Sequence, residues 1–279
     1  MENTVRAPIV DGAFYPGRAD ALRATLDAFF AKNAVRPAGP LPSAIGLIAP
    51  HAGYAYSGAV AAAGYEEVAA RGCPDAAVLL GANHTGLGGP LSLSGHTAWE
   101  TPLGRVPTDR GLIERLADAG IPVSNAAFAR EHSVEVQLPF LQALWGNDVP
   151  IVALCVMSAA TPPSEDHVEA IARAVADRRV LIVASSDFTH YESDATAREL
   201  DGLALAPIAA IDAEGFGRVY RERRLSICGA GAVLVLLGLC RRLGLARGRL
   251  VRYATSGDTT GDRSAVVGYA SVLFTAEGS

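Results

Sequence analysis

The sequence has few cysteines, and their arrangement does not suggest a structural framework. The four cysteines form no CxxC pair and show no regular spacing: Cys73, Cys155, Cys228 and Cys240. Zinc ribbons and small disulfide-linked folds use paired cysteines at short, fixed spacings, so both classes are excluded. Each cysteine is therefore considered on its own.

Long apolar runs and an excess of positive charge are also missing. The chain has 24 Lys and Arg residues against 29 Asp and Glu residues, a net charge of -5, so a broad basic surface for nucleic acid or anionic lipid is not expected. No apolar run reaches the length of about 18 residues typical of a membrane span, and the N-terminus lacks a signal-peptide pattern. We expect a soluble cytoplasmic protein whose partner is a small molecule, with no nucleic acid and no membrane.

The chain does contain apolar strand-like runs that alternate with amphipathic segments. The pattern predicts strands at 44–49, 76–81, 150–156 and 179–184, and helices at 57–71 and 164–177. Such alternation is typical of an α/β fold with a mainly parallel sheet and helices on both faces. The Pro-rich stretch at 36–43 is too short for a domain linker, so residues 1–279 are predicted to form a single domain.

Further elements are predicted outside this alternating core. A helix containing Pro139 is predicted at 132–145, and the proline either kinks the helix or marks its boundary. The remaining predictions are a helix at 19–32, a pair of short strands within 89–107, helices at 212–222 and 229–244, and strands at 249–254 and 265–274.

Three predicted strands run directly into loops that carry histidine. "GLIAPH" leads to His51, "AVLLGANH" to His84, and "VLIVASSDFTH" to Asp187 and His190. The carboxyl ends of parallel strands meet at one edge of a sheet, where ligands bind in open α/β folds. A single loop histidine is usually a turn or hydrogen-bonding residue, but three in this position favour a shared functional site.

Imidazole and carboxylate groups suit both metal binding and proton transfer. Neutral histidines bind iron, zinc, copper or nickel, and two histidines with one anionic ligand leave coordination positions open for substrate. Histidine also titrates near neutral pH and can act as an acid or a base. The short spacing from Asp187 to His190 allows the carboxylate to orient the imidazole.

Two further segments remain open to interpretation from the residues alone. In "EHSVEVQLPF", helical spacing places His132, Glu135 and Pro139 on one face. Either His132 points into the strand-end site, or Glu131 and His132 simply begin a helix. Cys228 precedes a very apolar helix and, taken alone, is predicted to be a buried structural cysteine.

Other catalytic motifs fit poorly. "GLGG" at 86–89 lacks both the GK[ST] ending of a phosphate loop and the GxGxxG order of a dinucleotide site. "SSDFTH" is not preceded by the GxSxG elbow of a serine hydrolase.

Five segments together resemble the signatures of the Memo family, in the same order and with similar separations: "APHAGYAYSG", "LLGANHTG", "EHSVEVQLPF", "VASSDFTH" and "ICGAGAVLVLL". The resemblance extends from "GAFYPG" to "VVGYASVLF" and covers nearly the whole chain. Bacterial and archaeal members are called AmmeMemoRadiSam system protein B. The family's fold is similar to that of class III extradiol ring-cleaving dioxygenases.

The resemblance implies a set of metal ligands and pocket residues. It assigns His51, His84 and Cys228 as the metal ligands, with iron(II) the expected metal. A thiolate ligand is softer than a carboxylate, so copper and zinc are the alternatives. By the same resemblance, Asp187, His190 and His132 line the pocket, and by analogy with the dioxygenases His190 transfers a proton.

The chain departs from the family pattern at two places. Thr85 stands where many relatives have a second histidine, and Ala230 and Gly231 stand where eukaryotic relatives read "CGRHP". These departures predict a less polar pocket.

The resemblance implies a metal-dependent oxidoreductase with a non-haem iron, dioxygenase-like site acting on an unknown small molecule. The alternative is a non-catalytic module that carries metal or binds a peptide or protein. In either case AMMECR-type and radical-SAM proteins of the same system are the expected protein partners.

Overall fold

The computed structural model describes residues 4–30 and 39–276. Its strands are Val5–Arg6 (β1), Ile45–Ala49 (β2), Ala76–Ala82 (β3), Leu91–Leu93 (β4), Ala98–Thr101 (β5), Gly104–Pro107 (β6), Ile151–Val156 (β7), Val180–Ser185 (β8), His190–Glu192 (β9), Arg247–Thr255 (β10) and Val266–Thr275 (β11). Its α-helices are Ala19–Phe30 (α1), Tyr54–Ala69 (α2), Arg110–Asp118 (α3), Leu138–Trp145 (α4), Glu165–Val175 (α5), Asp194–Ala209 (α6), Ala213–Glu222 (α7), Ala230–Arg242 (α8) and Gly257–Thr260 (α9).

The main sheet is mixed, so the prediction of a mainly parallel sheet is not confirmed. Its strand order is β10-β11-β2-β8-β3-β7-β4, and β9 pairs with β11. The four central strands β2, β8, β3 and β7 are parallel, whereas β4, β10 and β11 run antiparallel to their neighbours. The apolar runs identified the central strands, but antiparallel flanking strands carry a similar pattern, and direction follows from the connections between strands.

Helices cover both faces of the main sheet, because the central strands are apolar on both sides. In β2, Leu47 packs among residues of α1, α2 and α4, and the adjacent Ile48 packs among residues of α8. Successive side chains of a strand point to opposite faces, so each central strand contributes to two cores. Every residue of β2, β3, β7 and β8 is buried.

A second, small sheet has the order β1-β5-β6. The hairpin of β5 and β6 accounts for the pair of short strands predicted within 89–107, and β4 in the same stretch joins the main sheet instead. Strand β1 pairs parallel with β5, so the N-terminal arm, residues 4–18, is attached to this sheet.

Several predicted boundaries change in the structure. Helix α2 begins at Tyr54 rather than at residue 57, and α3, α6 and the short α9 were not predicted. The two longer missed helices begin with a capping side chain: Asp109 accepts from the Leu112 amide, and Ser193 from the Thr196 amide. Residues 31–38, which include the end of the helix predicted at 19–32 and part of the loop predicted at 36–43, lie outside the described residues.

None of the helices within residues 4–30 and 39–276 combines the length and the apolar character that crossing a membrane requires. The very apolar helix α8 has 13 residues. A membrane-spanning helix needs about 20.

Candidate metal centre

The carboxyl ends of β2, β3 and β8 lie side by side and bring the predicted site residues into one cleft of about 470 Å³. All six predicted site residues line this cleft. Its walls consist of Ala13, Phe14, His51, Ala52, Gly53, Tyr56, His84, His132, Asp187, His190, Tyr191, Cys228 and Val267. Residues far apart in sequence therefore meet where parallel strands end, which is the usual position of ligand sites in such sheets.

His51 is buried at the floor of the cleft, and its protonated ring nitrogen can be assigned. The Ser185 hydroxyl donates its one proton to the Ser133 carbonyl oxygen at 2.7 Å. The Ser185 hydroxyl oxygen also lies 2.8 Å from Gln137 Nε2 and 2.9 Å from His51 Nδ1. Because its proton is already used, it must accept from both nitrogens. His51 therefore carries its proton on Nδ1, and Nε2 keeps its lone pair as an acceptor.

Burial, together with the neighbouring His84, lowers the pKa of His51 to about 3. The imidazole is thus neutral across the physiological range. A neutral imidazole with a free Nε2 is the form that binds a metal ion.

His84 is oriented by Glu131, a carboxylate buried beneath it. Glu131 accepts from the His84 amide at 2.7 Å, from His84 Nδ1 at 3.0 Å, and from the amides of His132 and Ser133 at 2.9 Å each. Burial opposes the charge on both groups, but this pairing outweighs it: the pKa of His84 is raised, and that of Glu131 is lowered to about 2. The interaction leaves His84 Nε2 free.

His132 lies in the cleft, but no helix begins at this residue, contrary to the prediction. The segment forms a turn followed by a 3-10 helix, Glu135–Gln137, and α4 begins at Leu138 with Pro139 in its first turn. Glu131 bonds the two amides that follow it, so it holds a turn, and Pro139 marks the helix boundary. Of the two interpretations of His132, the structure favours the one in which it points into the site.

The ring of His132 stacks on His84, with centroids 4.8 Å apart, and contacts Phe14 edge-on at 4.7 Å. Burial, together with the neighbouring His51, lowers the pKa of His132 to about 4. Like His51, His132 is therefore a neutral imidazole in the cleft.

Cys228 lies beside His51, with Sγ 3.2 Å from His51 Nε2. The Asp187 amide donates to the same sulfur at 3.2 Å, and burial raises the pKa of the thiol. Taken alone, Cys228 was predicted to be a buried structural cysteine. In the structure it lies in the wall of the cleft.

Asp187 is positioned by the loop after β2. Its Oδ1 accepts from the His51 amide at 2.8 Å and from the Ala52 amide at 3.3 Å, and Oδ2 lies 3.9 Å from His51 Nε2. Burial raises the pKa of this carboxyl.

The prediction that Asp187 orients the His190 ring is wrong. His190 Nδ1 lies 2.6 Å from the Phe188 carbonyl oxygen and 2.8 Å from the Ser226 carbonyl oxygen. Carbonyl oxygens only accept, so Nδ1 carries the proton and Nε2 is left as an acceptor. Asp187 instead holds the loop that carries His51.

Two groups of donor atoms among the described residues can hold a metal ion. One contains His51, His84 and His132, the other His51, Asp187 and Cys228, and within each group the atoms lie within 4.8 Å of one another. His51 belongs to both groups. The trio predicted from the resemblance, His51, His84 and Cys228, takes ligands from each of them.

Sequence reasoning missed three residues that hold the side chains of the candidate metal site: Glu131, Gln137 and Ser185. Glu131 was noted only as the charge at the start of a helix. The signal that could have identified it is a carboxylate directly before a histidine in a segment containing proline. Gln137 and Ser185 carry no local signal, because their role depends on contacts with distant segments.

The departures from the family pattern lie outside the walls of the cleft. Ala230 and Gly231 are buried at the start of α8, and a Cβ added at Gly231 would lie 1.9 Å from the Met157 carbonyl oxygen. The Thr85 hydroxyl bonds Asn83 Oδ1 at 3.1 Å. None of the three contributes to the cleft lining, so the polarity of the cleft is set by other residues.

Comparison with known proteins shows the family of the chain and agrees with its fold. A family profile described as "Memo-like protein" matches residues 6–273. A "MEMO1 family protein" of Ignicoccus hospitalis is 42% identical over 285 residues, covering 97% of this chain and 98% of the relative. Another, of Thermotoga neapolitana, is 40% identical over 280 residues, covering 97% of this chain and 99% of the relative.

Among solved structures, an uncharacterized protein of Escherichia coli K12, JW3007, shares the fold with a TM-score of 0.54. It is 14% identical in sequence, and the match covers 82% of this chain and 99% of that one. The molecule is thus a mixed α/β protein with a histidine-lined cleft at its strand ends. The chain belongs to the Memo family.

Proposed function

We propose that this Memo-family chain is a metal-dependent oxidoreductase whose iron(II) is held by His51, His84 and Cys228. The observation that carries the proposal is the assignment of the two histidine protons. Ser185 and Glu131 each bond the Nδ1 of one ligand histidine, and the free Nε2 atoms are left for a metal. Metal-binding histidines in proteins are held in this way by a partner on the other ring nitrogen.

The donor set fits a transition metal. Two imidazoles and one sulfur match the preferences of iron, copper and zinc, and the sulfur makes copper(I) and zinc competitors of iron. The raised pKa of the Cys228 thiol means that metal binding must displace its proton, so affinity is expected to increase with pH. When bound, iron(II) supplies redox chemistry with oxygen or with an oxidisable substrate.

The cleft also contains groups that can move a proton. His190 donates through Nδ1 to backbone carbonyls, so Nε2 is fixed as an acceptor at the cleft wall. The lowered pKa of His132 keeps its ring neutral. His190 is proposed as the proton-transfer residue, with His132 and Asp187 lining the substrate position.

The soft sulfur ligand also favours a second candidate function. A site containing Cys228 can carry copper(I) or zinc without turnover, as part of a module that binds AMMECR-type or radical-SAM proteins of the same system. The two candidates share the metal site and differ in whether oxygen is consumed.

The first experiment is anaerobic titration of the chain with iron(II), copper(I) and zinc. His51→Ala and Cys228→Ser are expected to abolish near-stoichiometric binding. His167→Ala and Cys73→Ser, which lie outside the cleft, serve as matched controls and retain it. Binding that is indifferent to His51→Ala and Cys228→Ser would remove the metal from the function.

Oxygen uptake by the iron-loaded chain separates the two candidates. Sustained uptake with a panel of small substrates, catechol-type compounds included, supports the oxidoreductase. Stoichiometric metal binding with no uptake across the panel favours the metal-carrying module.

A further inference from the structure

A groove of about 780 Å³ lies between α5, α7 and α8. It is larger than the strand-end cleft of about 470 Å³, and the two have no lining residue in common. None of the residues proposed for metal binding or proton transfer lines the groove. The metal site therefore does not explain the groove or the side chains around it.

The floor of the groove is apolar, and three helices contribute to it. Val168 of α5 and Val235 of α8 are buried there, whereas Ala213 of α7 and Leu234 of α8 are partly exposed. A concave apolar strip between helices is the form of site in which proteins bind the apolar face of a partner helix. The charges around the floor then determine which partner fits.

One side of the groove carries a run of arginines. The segment "RVYRERR", residues 218–224, contains four arginines and one glutamate. On α7, Arg218 and Arg221 follow the groove-lining Glu214 at spacings of four and seven residues, so all three share a face of the helix. A Cβ added at Gly217 would lie 3.3 Å from Arg221 Nη1 and 3.9 Å from Leu234 Cδ2, so this guanidinium lies beside the floor. Arg218 and Arg221 are the arginine rim of the groove.

The arginine rim is not neutralised by acidic side chains of the described residues. Arg218 and Arg221 are exposed, and no carboxylate in the described part of the chain forms an ion pair with either. Arg242, on the α8 wall of the groove, is instead paired with Glu165 and Glu169. The helix dipole favours Arg221 in the last turn of α7 but does not account for Arg218, which lies outside that turn. Unpaired cations on a chain of net charge -5 therefore indicate an anionic partner.

From the apolar floor and the arginine rim, we propose that this groove docks an acidic amphipathic helix of a partner protein. The apolar side chains of that helix cover the floor, and its Asp or Glu side chains face Arg218 and Arg221. A nucleic acid fits less well, because it has no apolar face and the chain as a whole is negative. A symmetric dimer of this chain also fits less well, because the arginine rims of both copies would enter one interface. The groove is separate from the proposed metal site, and docking needs neither metal nor oxygen.

The test is fluorescence anisotropy of four labelled probes titrated with the full chain. The first is a peptide of about 18 Leu and Glu residues whose leucines share one helical face. The second has the same composition in an order without an apolar face, the third has Lys in place of Glu, and the fourth is a single-stranded DNA oligonucleotide. At low salt, the first probe is expected to bind about tenfold more tightly than the other three, and its affinity is expected to decrease as salt is added.

Substitutions in the groove test both features of the surface. Arg218→Glu combined with Arg221→Glu is expected to weaken binding of the first probe about tenfold, and the corresponding Gln pair to weaken it less. Leu234→Gln is expected to weaken it about three- to tenfold, because the floor becomes polar. The matched control combines Arg23→Glu on α1 with Arg110→Glu on α3, two exposed arginines outside the groove. It changes the net charge equally and is expected to bind like the wild type.

The proposal is overturned if the first probe does not bind, if another probe binds equally well, or if the arginine variants and their control bind alike. Analytical ultracentrifugation of the chain without probe examines the second-copy alternative. A dimer that dissociates when Arg218 and Arg221 are replaced by Glu would assign the groove to a second copy and overturn the proposal. Metal titration of the same variants is expected to match the wild type, so failure of the docking surface and failure of the metal site are distinguishable.

Discussion

At the scale of single residues, the cleft depends on side chains that hold the histidines rather than on the histidines alone. Ser185 accepts from His51 Nδ1, and Glu131 bonds His84 Nδ1, so both rings present Nε2. The lowered pKa of His51, caused first by burial, keeps its ring unprotonated. Tautomer and charge are thus set before a ligand arrives.

Replacing Ser185 by Ala is predicted to lower metal affinity about 10- to 100-fold, because the His51 Nδ1 proton loses its acceptor. The buried His51 and Gln137 donors are left without this partner, which lowers the free energy of unfolding by about 1–3 kcal/mol. Anaerobic metal titration and urea denaturation measure the two effects.

Ser271→Ala is the matched control, since the Ser271 hydroxyl is also buried and donates to the Val60 carbonyl oxygen at 2.6 Å, away from the cleft. It is expected to reduce stability without changing metal affinity. Equal metal affinity in the two variants would contradict the role given to Ser185.

At the scale of elements, the N-terminal arm is fixed behind the cleft by one buried ion pair. Arg6 pairs with Glu135, and the carboxylate also accepts from the Ile9 amide at 3.0 Å and from the Tyr15 hydroxyl at 2.6 Å. The same arm carries Phe14 to the cleft wall. The attachment of β1 and the position of Phe14 therefore depend on the same contacts.

Removal of Arg6 as Arg6→Ala is expected to lower the free energy of unfolding by about 3–5 kcal/mol, because Glu135 is left as a buried charge without its cation. Arg18→Ala is the control, because Arg18 and Asp20 form an exposed ion pair. Loss of this pair is expected to have no measurable effect on the free energy of unfolding. Urea denaturation compares the two. A cost as small as that of Arg18→Ala would show that the arm is held by other contacts.

Helix α6 is joined to the loop before β9 and to β10 by Asp201. Its Oδ1 accepts from the Thr189 amide at 2.9 Å and its Oδ2 from the Tyr253 hydroxyl at 2.6 Å. Burial raises the pKa of this carboxyl above the model-compound value of 3.8. As pH rises, Asp201 therefore loses its proton in the unfolded state before it does so in the folded state. Between the unfolded-state pKa and the higher folded-state pKa, this residue makes the free energy of unfolding decrease as pH rises.

Asp201→Asn removes this titration and keeps an acceptor for the Thr189 amide, while its amide nitrogen faces the Tyr253 hydroxyl as a donor in place of an acceptor. The free energy of unfolding of the variant, relative to wild type, is expected to increase as pH rises above about 4. Asp75→Asn should show the opposite slope, because the hydrogen bond from Arg179 lowers the pKa of Asp75. Urea denaturation across a pH series tests both. A pH-independent difference for Asp201→Asn would contradict the assignment.

At the scale of the whole molecule, the two cores lie on opposite faces of the same strands. Loss of the central strands would expose both cores together, so we expect residues 1–279 to unfold in one cooperative transition. The small sheet contains the buried Trp99, whose ring has the Arg6 guanidinium over its face and contacts Phe128 edge-on. Tryptophan fluorescence and far-UV circular dichroism should give coincident urea curves, whereas separate midpoints would indicate two folding units.

The sequence alone determined the central strands, most of the helices and the edge of the sheet where the candidate site residues meet. Apolar runs identify buried strands. His51 and His84 follow such runs in the sequence, so chain order alone places them at strand ends. The same reasoning did not find β10 and β11 to be antiparallel additions, because strand direction depends on the path of the connections.

Only the tertiary structure decided how the site is built. Ser185 bonds His51 and is itself bonded to Ser133 and Gln137 of a distant segment. Asp187 bonds the His51 loop instead of the nearby His190. Such contacts have no local pattern, since a hydrogen bond is fixed by distance and direction in space. Periodicity reports which face of an element is buried, and the packing of elements decides which polar groups face each other there.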